Sequence, residues 1–110
     1  MANLNDARAK ITSITLRDGV ERELLFTLNA MAEMEDRYGS VDAAFEAMNN
    51  NSIKAVRFVL WTGLMHLEEG LTEQQVGNLI DVKCMEQIVE KMGLALSNDM
   101  PEKGNELPNV

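Results

Sequence analysis

The sequence predicts a mainly α-helical α+β fold, with an N-terminal β-hairpin followed by four to five helices in one compact domain. Three observations carry this. Apolar residues alternate around Asp18-Gly19, they switch to helical spacing after Thr27, and capping residues and glycines then divide the rest into segments of helix length. A chain of 110 residues buries roughly two-thirds of its unfolded surface, which sustains one core and not two.

The alternation runs through Ile14 and Leu16, Val20, then Leu24 and Phe26, with Thr12, Thr15 and Thr27 adding β-favouring side chains. Asp18-Gly19 supplies positive φ cheaply, so it predicts a tight antiparallel turn between two strands. Arg17, Glu21, Arg22 and Glu23 fall on the exposed positions. A two-stranded ribbon is marginal alone and must lie on an apolar layer.

Thr27 or Asn29 caps a first helix whose Leu28, Met31, Met34 and Tyr38 recur at helical spacing until Gly39 stops it. Ser40 caps a short second helix over 41–48, with Asp42 favourably placed in its first turn, and the Asn49-Asn50-Asn51 run breaks it. Ser52 opens the most apolar stretch, a central helix over 53–67 closed by Gly70. Its Ile53, Val56, Val59, Leu60, Gly63, Leu64 and Leu67 share one face, yet Phe58, Trp61 and Met65 lie nearly opposite. A helix apolar on two sides is sandwiched between layers or offers one side to a partner, and both outcomes are open at this point.

Thr72 and Gln75 form a capping box, with Leu71 and Val76 as its hydrophobic staple, for a short helix reaching about Ile80. Asp81 caps a last helix whose Val82, Met85, Ile88, Val89, Met92 and Leu96 share a face. The pattern stops at Ser97. Residues 98–110 hold both prolines and few apolar side chains, and residues 1–9 are polar, so the predicted organisation is a folded domain over 10–97 between a mobile start and a mobile tail.

Composition narrows function. Eighteen acidic against ten basic residues give a net charge of -8, which repels phosphate backbones and opposes a nucleic-acid partner. The single cysteine, Cys84, permits no internal disulfide and no paired-cysteine zinc site. The opening residues lack the apolar run of an export signal, and no stretch approaches bilayer length, so the expected setting is cytoplasmic without a membrane partner.

His66 is the only histidine. A nucleophile built from it with Cys84 or a serine has no supporting motif, and no glycine-rich oxyanion loop is visible. His66-Leu67-Glu68-Glu69 lacks the second histidine of the zinc-protease pattern, while Glu33, Glu35 and Asp36 read as a solvated helix face. No phosphate-cradling G-x-x-x-x-G-K-[ST] occurs. The expectation is a non-enzymatic protein with no cofactor and no metal. The sharper candidates are Phe58, Trp61 and Met65, two aromatics and a flexible thioether suited to gripping an apolar helical partner unless the hairpin or short helices cover them. Eight methionines add side chains that repack easily.

The order Thr15-Leu16-Arg17-Asp18-Gly19, Leu24-Leu25-Phe26-Thr27-Leu28-Asn29-Ala30 and Glu33-Met34-Glu35-Asp36-Arg37-Tyr38-Gly39-Ser40 resembles the opening of the tail assembly chaperones of long-tailed bacteriophages. Leu60-Trp61-Thr62-Gly63-Leu64-Met65-His66 and Leu71-Thr72-Glu73-Gln74-Gln75-Val76-Gly77 are similar to that family's central helix and the element after it. Together these cover about Ile14 to Ile80. The resemblance implies a phage or prophage protein of the host cytoplasm that self-associates, binds the tape-measure protein, keeps it soluble while tail-tube protein polymerises around it, and is not retained in the mature tail. It also implies a longer frameshifted form, which would diverge within 98–110. The matched motifs are scaffold positions and assign no binding residues. The alternative is a structural head-tail connector or tail completion protein of the particle.

Overall fold

In the computed structural model, which describes residues 12–99, strand β1 (Thr12–Thr15) pairs antiparallel with β2 (Glu21–Leu24), Thr12 opposite Leu24 and Thr15 opposite Glu21. Of the two turn residues expected to use positive φ, only Gly19 does, at 79°. Its N–H donates to the Leu16 carbonyl at 2.9 Å, so Arg17, Asp18 and Gly19 make a three-residue loop in which Gly19 takes the left-handed position. Asp18 instead works through its carboxylate. It accepts both terminal nitrogens of Arg22 (3.0 and 2.7 Å) and the Val20 N–H (3.1 Å). These donors, Arg22 foremost, lower its pKa from 3.8 to about 2.

The five α-helices among the described residues are α1 (Leu28–Tyr38), α2 (Val41–Asn49), α3 (Ile53–Leu64), α4 (Glu73–Gly77) and α5 (Met85–Asp99), the last entered through a 3-10 turn at Val82–Cys84. Their starts follow from side-chain oxygens that accept otherwise unpaired backbone N–H groups. Thr27, Ser40 and Ser52 each accept from the residue three further on, and Thr72 with Gln75 closes the full capping box. Helix α1 ends on Gly39 at φ 92°. Helix α2 is capped by Asn50 and followed by Asn51 at φ 69°, whose N–H donates to the Met48 carbonyl while Ser52 N–H donates to that of Ala47. This is a Schellman closure with asparagine in the left-handed position.

Helix α3 is the centre of the molecule. It contacts α1, α2, α4, α5 and β2, and Ala55, Val56, Phe58, Val59, Leu60, Thr62, Gly63 and Leu64 are buried nearly all the way round it. Of the two arrangements open for a helix apolar on both sides, the fold adopts the sandwiched one. Thr62 is satisfied inside by donating to the Val59 carbonyl at 2.7 Å.

The hairpin lies on α3 and α5, with Ile14, Leu16, Leu24 and Phe26 turned inward. Backbone bonds fix it there: Arg17 N–H donates to the Leu79 carbonyl (2.9 Å), and Leu25 N–H to that of Gly63 (3.0 Å) near the end of α3. The second bond satisfies one of the carbonyls a helix leaves unpaired at its C-terminus.

Several expected boundaries shift. Helix α3 stops at Leu64, not 67, because Leu67 N–H bonds back to Leu64 in a tighter turn, and Leu67 is then exposed. Ile53, Leu28 and Val82, assigned to apolar faces, also face outward. Val82 sits in the 3-10 turn, whose different residue period takes it out of phase with the buried face of α5. Helix α5 continues past Ser97 to Asp99, where the Asp99 carboxylate accepts the Phe26 N–H at 2.8 Å. The folded unit therefore includes Asn98 and Asp99. The expectations for residues 1–9 and for 100–110 lie outside the described residues.

Candidate partner-binding surface

The stripe on α3 is divided by the fold. Phe58 is fully buried, against Tyr38 (ring centroids 5.7 Å) and Trp61 (5.9 Å). The Arg37 guanidinium lies 4.1 Å from its ring centroid, a cation–π arrangement. Glu73 holds that guanidinium through two bonds of 2.9 Å, which raises the Arg37 pKa above its ordinary value. An α1–α4 clasp thus closes over the ring, and the expectation that Phe58 grips a partner is corrected: it has no surface to offer. Trp61 is partly buried and donates its indole N–H to the Leu71 carbonyl at 2.7 Å, so its polar end is already used. Met65, at the C-cap of α3, is partly buried against the core. Only the margins of Trp61 and Met65 remain accessible.

An apolar opening lies elsewhere. A groove of about 540 Å³ runs between the first two turns of α3 and the segment from α4 into α5. Ile53, Val56, Ile80, Val82 and Met85 form its apolar walls, and Arg57 is its one charged lining residue. Ile53 is 66% exposed and Val82 74%. The Arg57 stem lies so close to Gly77 that a Cβ there would meet Arg57 Cδ at 3.0 Å. Glycine at 77 therefore makes room for the arginine. Arg57 Nε is buried without a hydrogen-bond partner, and neither ion pair among the described residues involves this side chain.

Sequence reasoning missed this site because periodicity assigned Ile53 and Val82 to the core. One signal was available: Arg57 is a charge in the middle of the most apolar stretch of the chain. The other residues weighed for chemistry lie at the surface. His66 and Cys84 are exposed, as are Glu35 and Asp36, and among the described residues no three His, Cys, Asp or Glu side chains gather as a metal site would require. No helix among the described residues is long and apolar enough to cross a membrane.

A scan against protein-family models, a search of curated proteins and a search of solved structures each returned no match to this chain.

Proposed function

We propose that this chain is a tail assembly chaperone of a long-tailed bacteriophage or prophage, a non-enzymatic protein of the host cytoplasm that holds the tape-measure protein soluble until tail-tube subunits enclose it. The family reading rests on the motifs that run from the hairpin to α4. The observation supporting binding over chemistry is the exposure of Ile53 and Val82 on a groove, in a chain of net charge -8. Exposed aliphatic walls give an apolar client a place to bury surface, at about 25 cal/mol per Å² removed from water. The surrounding acidity keeps such a protein dispersed. Holding by mass action needs no nucleotide, since a ligand that binds only one state stabilises that state by RT ln(1 + [L]/Kd).

Co-expression with the neighbouring long helical reading frame tests the reading. The expected result is a soluble complex recovered by affinity capture of this chain. A client that stays insoluble and uncaptured rejects it. Detection of the chain in purified particles by mass spectrometry would instead assign it to the connector or completion proteins.

A further inference from the structure

Helix α4 is five residues long, and a helix that short has no stability of its own in water. Packing must hold it, yet Val76 is its one buried residue, and α3 is the helix it packs on. Grooves open on both of its flanks. Gln74 and Gly77 line the one of about 540 Å³, Gln75 and Val76 line another of about 270 Å³, and Asn78 lines both. Among the described residues, three polar ties connect this segment to distant parts of the chain. They are the Arg37–Glu73 pair, the 2.7 Å bond from the Trp61 indole to the Leu71 carbonyl just before α4, and the 2.9 Å bond from Arg17 N–H to the Leu79 carbonyl just after it. The ion pair is accessible to solvent, with 47% of the Arg37 side chain exposed, and such pairs hold weakly.

A segment with few buried apolar contacts opens at lower cost than the core around it. Its ends are suited to bending: Gly70, at φ 89°, precedes it, and Asp81 leads from it into the 3-10 turn. We propose that residues 71–80 form a lid that opens as one unit while the hairpin and the other four helices stay folded, with Arg37–Glu73 as its catch. In the open form Arg37 loses Glu73, the Trp61 indole loses its acceptor, and the two grooves merge through the seat that Val76 leaves. The aromatic side of α3, covered in the closed form, then meets solvent. The inference goes beyond the chaperone reading and stands independently of it.

Native-state hydrogen exchange of the whole protein, followed by NMR, tests the lid. Its reporters are the amides of Val76, Asn78 and Leu79, bonded to the carbonyls of Thr72, Gln74 and Val76, and the indole N–H of Trp61, the single tryptophan. The reference amides are those of Leu60 and Met92, fully buried in the longer helices α3 and α5. Corrected for their unprotected rates, the reporters should share one opening constant, at least about tenfold larger than that of the references. Glu73→Gln should raise it about two- to fivefold, the scale of one exposed ion pair.

Asn51→Ala separates lid opening from unfolding. It weakens the turn between α2 and α3, which the open lid leaves intact, so Leu60 and Met92 should exchange about five- to thirtyfold faster while the reporters keep their wild-type rates. Reporters that accelerate together with the references open only when the whole chain unfolds, and that overturns the lid. A Trp61 indole that exchanges with the references in wild type overturns it as well, and an unchanged opening constant in Glu73→Gln overturns the catch. Should Asn51→Ala fail to fold, low concentrations of urea take its place. The references should then quicken while the reporters hold, because the lid exposes far less surface than global unfolding, and parallel acceleration overturns the proposal.

Discussion

Replacing Gly63 with alanine sets two well-characterised effects against each other at the contact between β2 and α3. Alanine in a helix gains about 0.5–1 kcal/mol over glycine, and Gly63, one residue before the end of α3, sits at the low end of that range. Against this, a Cβ at 63 would stand 3.1 Å from Leu24 Cδ2 and 3.1 and 3.2 Å from Phe26 Cε1 and Cζ. Those side chains have little room to yield. Each is 2% exposed, Phe26 packs edge-on against Phe45 at 5.6 Å, and the hairpin cannot lift without stretching the 3.0 Å bond from Leu25 N–H to the Gly63 carbonyl. Overpacking of this kind costs about 1–3 kcal/mol, so the net effect is destabilising by about 0.5–2.5 kcal/mol. Gly93, inside α5, is the control, because nothing lies within 4 Å of its Cβ position. There the same substitution should stabilise by about 0.5–1 kcal/mol. Urea denaturation and thermal melting followed by circular dichroism read both, at about 4–8 °C per kcal/mol for a domain of this size. Leu24→Ala should relieve part of the Gly63→Ala cost, as a coupling of at least about 0.5 kcal/mol in a double-mutant cycle. A Gly63→Ala protein as stable as wild type would refute the close docking of the hairpin on α3.

Three other tests follow from the geometry. Asn51→Ala should cost about 1–2 kcal/mol, since its φ of 69° is a left-handed conformation that alanine resists, while Asn51→Gly should match or exceed wild type in urea. Because the Asp18 pKa is depressed on folding from 3.8 to about 2, its contribution is present above the unfolded value and is lost as pH falls through about 2. The melting difference between wild type and Asp18→Asn should therefore be full near neutrality and shrink progressively below pH 3.8, and high salt should reduce it because the carboxylate is accessible. Trp61→Phe removes the 2.7 Å bond to the Leu71 carbonyl and should lower stability by about 1 kcal/mol with client capture unchanged. Lost capture at unaltered stability would return the α3 stripe to the role of docking face.

Local chemistry specified the short-range devices. Gly19 in the hairpin turn, the caps at Thr27, Ser40 and Ser52, the Thr72–Gln75 box and the stop at Gly39 are each completed within three or four residues, so their partners were visible in the local string. The length and polarity of α3 likewise marked it as the central element. Docking alone decided which apolar residues would be covered. The Arg37–Glu73 clasp spans 36 positions and the bond from Phe26 to Asp99 spans 73. Burial is set by these distant partners, because the hydrophobic effect counts area removed from water and carries no direction along the chain. Phe58 thus went inside, Ile53 and Val82 stayed out, and Arg57 came to rest in the groove between α3 and α4.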